Sequence, residues 1–242
     1  MPGEPVDLTG IDVVIFDKDG TLIDFHAMWG GWARGLGERL DATIRRPVSL
    51  DVFAAIGFDP SGGRISAGAP LAIETMAGIE EIVARVLRRY CPSIAAARRA
   101  TESAWSIPDP VARAVPLGDL TAIFGRLRDD GRRIAVVTTD DRGPTDATLR
   151  SLGVRNEVGA MVCGDDGFPM KPAPDPVFAL CQVFRSEPSR VAVIGDTPAD
   201  IAMGRTAGAG RVVGVRSGLG RDDDLADADT IIDSVGVLLA PA

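Results

Sequence analysis

From Asp119 onward the chain alternates helix-period segments with short β-branched apolar runs, and that alternation constrains its fold more than any other feature. Helices are expected near Leu120–Arg128, Thr145–Leu152, Pro176–Arg185 and Ile201–Ala207, and strands near Ile134–Val137, Ala160–Cys163, Val191–Ile194 and Val212–Val215. Units of this kind build a parallel sheet with helices on both faces, a doubly wound, Rossmann-like α/β domain. One more apolar run, Ile11–Phe16, is almost continuous in β-branched and aromatic residues, which suits a strand covered on both sides. With 242 residues, 45% of them hydrophobic, the chain can fill one such core and a smaller companion domain.

Between Leu22 and about Ser106 the strand pattern gives way to helical periodicity. Helices are expected near Ala27–Leu40, Leu50–Ala55, Leu71–Ala77, Glu80–Tyr90 and Ile94–Ala104. The segment Ile107–Gly118, with Pro108, Pro110, Pro116 and Gly118, reads as the return linker. The expected organisation is therefore an α/β core from residues 1–23 and 110–242, interrupted by an α-helical domain over 24–109. No internal repeat or low-complexity tract interrupts either part.

Chemistry concentrates where the strands end. Parallel sheets bind ligands beyond the carboxyl ends of their strands. Directly after the Ile11–Phe16 run come Asp17-Lys18-Asp19-Gly20-Thr21-Leu22. Two carboxylates two residues apart in extended chain face opposite ways, so both reach one reacting group only if the chain turns at Asp17, and Gly20 supplies the freedom to turn. Crowded carboxylates call for a divalent metal or a shared proton, and Mg²⁺ suits an all-oxygen site.

Four elements in order resemble the haloacid dehalogenase superfamily of phosphohydrolases, and within it the phosphoglycolate phosphatase-like branch. They are Asp17–Leu22; the strand Ile134–Val137 ending in Thr138 and Thr139; Lys171 in Met170-Lys171-Pro172-Ala173-Pro174-Asp175; and Val191–Gly195 followed by Asp196-Thr197-Pro198-Ala199-Asp200. The resemblance implies a helical cap inserted in the core and a Mg²⁺-dependent phosphatase acting on a small-molecule phosphate monoester, phosphoglycolate-like or a sugar phosphate. It assigns Asp17 as the nucleophile that forms an aspartyl-phosphate and Asp19 as the acid and base. Metal ligands would be Asp17, the Asp19 carbonyl and Asp196, with Asp200 orienting a metal-bound water. Thr138, with Thr139 and Gly20, would contact phosphate, and Lys171 would neutralise the phosphoryl oxygens.

Residue types discriminate among relatives of that superfamily. Phosphonate-cleaving members use a cap lysine, and residues 24–109 contain none. Haloacid dehalogenases typically lack an Asp at the Asp19 position. A sugar-phosphate mutase keeps both aspartates and stays open, as does a non-catalytic module that binds a phosphorylated ligand. Each motif also has a plainer reading: Asp19-Gly20 as a turn, Thr138 and Thr139 as a strand end, Lys171 as a solvated side chain, Asp196 and Asp200 as helix-capping residues. Against the plainer reading of Lys171, Lys and Arg together number 26, and only Lys18 and Lys171 are lysines.

The remaining signals bound partners and setting. Net charge of −8 argues against nucleic acid or an anionic membrane as a partner. No stretch is apolar enough for a membrane span, the N-terminus does not resemble a signal peptide, and Cys91, Cys163 and Cys181 read as reduced thiols, so a cytoplasmic setting is expected. Monomer or homodimer is not written in the sequence. In the insertion, Arg64 in the loop Gly57–Arg64 is a candidate grip for a substrate carboxylate or else a solvated surface arginine. His26 is a candidate substrate contact or a hinge, and Trp29, Trp32 and Trp105 are expected to pack the insertion's core.

Overall fold

The computed structural model describes residues 6–66, 68–106, 109 and 111–239. The chain divides into two compact units, residues 1–25 with 110–242, and residues 26–109. Ile107, Pro108 and Pro110 of the expected return linker lie outside the described residues.

In chain order the first strand is β1 (Val13–Phe16), followed by α1 (Phe25–Ile44), α2 (Ser49–Ile56), β2 (Phe58–Asp59), β3 (Arg64–Ile65), α3 (Pro70–Ile73), α4 (Met76–Leu87) and α5 (Ile94–Ala104). Then come α6 (Leu120–Asp129), β4 (Arg133–Val137), α7 (Arg142–Ser151), β5 (Val158–Val162), α8 (Asp175–Phe184), β6 (Val191–Gly195), α9 (Pro198–Ala207), β7 (Arg211–Val215) and β8 (Thr230–Ile232).

The larger unit is built on a six-stranded sheet in the order β5-β4-β1-β6-β7-β8, parallel throughout. Its centre is β1, whose Phe16 lies opposite Val136 of β4 and Ile194 of β6. Because side chains alternate along a strand, Val14 and Phe16 enter one core with Ile123, Phe124 and Leu127 of α6. Val13 and Ile15 enter a second core with Val177 and Leu180 of α8 and Met203 and Ala207 of α9. A strand buried on both faces has no polar side to alternate, which is why Val13–Phe16 reads as unbroken apolar sequence. The sheet order reverses at β1, with β4 on one side and β6 on the other, so the loops after these strands open the crevice where such sheets bind ligands.

The smaller unit is mostly helical, as expected, and adds one short hairpin. Gly57 takes a positive φ of 76°, ends α2 and starts the hairpin β2–β3. The turn is fixed by Asp59, which accepts hydrogen bonds from Ser61 N at 2.9 Å and Gly62 N at 3.1 Å. The expected helix Leu71–Ala77 is likewise broken: α3 is one turn, Glu74 is extended, and the Thr75 side chain accepts from Gly78 N to start α4 at Met76. A threonine that caps a new helix competes with continuation of the old one. That helix then ends at Leu87 rather than Tyr90. The tryptophans pack as expected, Trp29 on Trp32 at 6.0 Å and Trp32 on Trp105 at 5.3 Å, and Trp32 Nε1 donates to the Ser106 carbonyl at 2.7 Å. Among the described residues no helix is long and apolar enough to cross a membrane, and the three cysteines are free thiols.

Candidate active site

Asp17 is the first residue past β1, its N–H donating to the Ile194 carbonyl of β6 at 2.9 Å. The chain then turns, with Leu22 N and Ile23 N both donating to the Lys18 carbonyl and Gly20 N to the Ile23 carbonyl. Gly20 sits at φ +92°, and a Cβ there would stand 2.4 Å from Asp196 Oδ2. Glycine is thus required twice over, for the turn and for the carboxylate beside it.

Three loops converge. Asp196 follows β6 and is fully buried; its Oδ2 accepts from Leu219 N at 2.8 Å, and Thr21 Oγ1 lies 3.4 Å from its Oδ1. Asp200 is on the first turn of α9, where Thr197 is the cap: Asp200 Oδ2 accepts from Thr197 N at 3.0 Å and Thr197 Oγ1 at 2.6 Å. Its Oδ1 accepts from Lys171 Nζ at 2.6 Å, and the same ammonium donates to Asp17 Oδ1. Lys171 is therefore a buried ion-pair partner of two aspartates, not a solvated side chain. Thr138, one residue past β4, is buried and accepts from Asp140 N at 3.2 Å, whereas Thr139 is exposed.

Charge in this pocket is unbalanced. Asp17, Asp196 and Asp200 each offer an oxygen within 4.8 Å of the others, with Lys171 as their paired cation. Burial pushes the Asp17 carboxyl up to about 6 against the pull of Lys171, with Asp200 adding to the rise. Burial, then the charges of Asp17 and Asp200, hold Asp196 well above the usual carboxylate range. Burial opposes the charge on Lys171, but Asp17 and Asp200 outweigh it and keep the ammonium far above the ordinary lysine value. Among the described residues no donor reaches Asp17 Oδ2, although it is buried. A bare carboxylate oxygen beside two further carboxylates is the donor set a hard divalent cation takes, so these residues fit Mg²⁺.

Two residues that the motifs did not single out for a role complete the neighbourhood. Lys18 is 1% exposed and pairs with Asp19 Oδ2 at 2.5 Å and Asp140 Oδ2 at 3.2 Å. The scarcity of lysine is read for Lys171 alone, though it is a signal that applies equally to Lys18; nothing in the local sequence points to Asp140. His26 and Arg64 belong to the other unit, where His26 Nδ1 accepts from Ile65 N at 3.4 Å and Arg64 is exposed on β3.

A sheet of this order with aspartates after β1 and β6, a hydroxyl after β4 and a buried lysine pairing the first aspartate defines a class of hydrolase, and the family model for haloacid dehalogenase-like hydrolases matches residues 11–208. The chain belongs to that family. Its relatives set it on the phosphoglycolate phosphatase-like branch: it is 30% identical over 208 residues to a phosphoglycolate phosphatase of Rhodospirillum rubrum, covering 83% of this chain and 78% of that one. It is 26% identical over 230 residues to the N-acetylmuramic acid 6-phosphate phosphatase of Pseudomonas putida, covering 91% of each. Among solved structures, CbbY from Rhodobacter sphaeroides in complex with phosphate shares the fold at a TM-score of 0.60, with 22% identity over 93% of this chain and 95% of that one.

Proposed function

We propose that this protein is a phosphatase that hydrolyses a small-molecule phosphate monoester through an aspartyl-phosphate on Asp17. The observation that carries the reading is the asymmetry of the Asp17 carboxylate, with Oδ1 held by Lys171 and Oδ2 buried and without a donor among the described residues. An oxygen that carries no donated hydrogen bond keeps its lone pairs for an electrophile, here phosphorus or a cation.

Asp17 attacks phosphorus as the ester P–O bond breaks, and Asp19 gives a proton to the departing alkoxide. Asp19 then takes a proton from water, the water oxygen bonds to phosphorus, and the Asp17–phosphorus bond breaks to return the carboxylate and release phosphate. Lys171 keeps Asp17 in place and faces the negative phosphoryl oxygens, while Thr138 offers its hydroxyl at the strand end. Asp17, Asp196 and the Asp19 carbonyl would hold Mg²⁺, with Asp200 beside them. Bound there, the ion would offset the cluster's negative charge and polarise the phosphoryl group.

Names of the relatives favour phosphoglycolate or a sugar phosphate as substrate, and Arg64 is the residue we assign to a substrate carboxylate. The insertion over 24–109 is read as the cap that selects among such esters. Phosphate release from a panel of phosphoglycolate, sugar phosphates and p-nitrophenyl phosphate, with Mg²⁺ or EDTA, tests the reading. Mg²⁺-dependent release that vanishes in Asp17→Asn is expected. Isomerised sugar phosphate without free phosphate would replace the phosphatase with a mutase.

A further inference from the structure

Lys18 is out of place for a purely structural residue. A buried ammonium pays for desolvation, and apolar side chains of similar volume at such positions are often neutral or stabilising. The chain's other cations are arginines, exposed or half-buried and none fully buried among the described residues, yet both of its lysines lie at this one site, 1% and 7% exposed. Lys171 serves the nucleophile's side of the pocket. Lys18 serves the opposite side: its Nζ is 2.5 Å from Asp19 Oδ2 and 3.2 Å from Asp140 Oδ2, so it ties the turn after β1 to the loop after β4. The register sets the reach, since Phe16 lies opposite Val136 and the loops that leave the two strands therefore start side by side. Asp140 is fixed in turn by its own N–H on Thr138 Oγ1 and by its carbonyl, which accepts from Gly164 N at 2.8 Å.

We propose that Lys18 is a positioning residue for Asp19: anchored on Asp140, its ammonium grips Asp19 Oδ2 so that Asp19 presents one fixed oxygen to the water that hydrolyses the phosphoenzyme. The inference rests on the phosphatase reading above. In the step concerned, the proton of water passes to Asp19, the water oxygen bonds to phosphorus, and the phosphorus–Asp17 bond breaks. With the Lys18 contact removed, the Asp19 carboxylate is held at one point fewer and spends less time in line with that water, and the loss appears in dephosphorylation.

p-Nitrophenyl phosphate isolates that step, because p-nitrophenolate departs without a proton from Asp19: kcat/KM reports phosphorylation of Asp17, while slowed hydrolysis of the phosphoenzyme lowers kcat alone. In Lys18→Met, kcat is expected to fall ~10-fold or more while kcat/KM stays within about twofold, with a burst of p-nitrophenolate of about one per active site. A merely structural defect would lower both parameters together and give no burst; that result, or no change in either, overturns the proposal. Should Lys18→Met lack a cooperative melt, Asp140→Ala decides: it leaves the ammonium with its first partner and removes the anchor. The same split at smaller size is expected, and parallel losses or none overturn the proposal. Phosphate release by the native protein is the control, because its absence would remove the phosphatase reading itself.

Discussion

Asp196 has almost no room to move. A Cβ on Gly218 would stand 1.9 Å from its Oδ2, just as one on Gly20 would stand 2.4 Å away. Both contacts are with the carboxylate proposed to hold metal, so a methyl group at Gly218 should displace that ligand without exposing core. Gly218→Ala is expected to raise the Mg²⁺ concentration for half-maximal phosphate release ~10-fold or more, the scale on which metal sites respond to loss of outer support. A Mg²⁺ titration of the variant against the native protein measures it, and an unchanged requirement would mean that Asp196 is not a ligand. The neighbouring Asp200 shows why single residues here resist one-role descriptions. One of its oxygens completes a helix cap with Thr197 and the other holds Lys171.

At the level of elements, α2 begins on a side chain from a different helix. Val48 N, Ser49 N and Ser49 Oγ all donate to the Asp41 carboxylate of α1, at 2.6, 2.8 and 2.7 Å. Asp41→Ala leaves those donors of the α2 N-terminus without their acceptor and is expected to cost about 1–2 kcal/mol, read as a lower urea midpoint at unchanged slope. The same scale separates what the sequence reveals from what it hides. Strands β1, β4 and β6 are legible because each is a β-branched run buried on both faces, and the residue at each carboxyl end stands out by its chemistry: Asp17, Thr138 and Asp196. The hairpin β2–β3 is not, since two-residue strands are too short to display a period, and β8, with three residues at the sheet edge, has the same handicap. Asp140 was hidden for another reason. Its pairing with Lys18 depends on the register between β1 and β4, which lies in the tertiary structure and not in the local chain.

For the whole molecule, the buried carboxylates make stability depend on pH in an unusual direction. Asp17 has its pKa raised from 3.8 to about 6 by burial, so the folded state holds that proton more tightly than the unfolded chain does. The stabilising contribution is complete below about pH 4 and is lost as pH rises through about 6, and Asp196 shifts in the same sense. A divalent cation replaces the missing positive charge where the proton no longer does. The gain in Tm on moving from EDTA to Mg²⁺ is therefore expected to be larger at pH 7.5 than at pH 5, and a gain that is flat or shrinks with rising pH would contradict the charge balance described for the cluster.

The long insertion also leaves and rejoins the larger unit at one point. Asp24 N donates to the Val115 carbonyl and Leu117 N to the Leu22 carbonyl, a short two-rung ladder that bridges the outgoing and returning chain. Strands β1 and β4 are about 120 residues apart in sequence, yet once that ladder forms, the effective loop between them shrinks to a few tens of residues. By loop-closure entropy the shortening eases the pairing of the central strands by about 1 kcal/mol. For the polymer, then, the order of events matters: a chain whose ladder zips first assembles its sheet as though the excursion were absent.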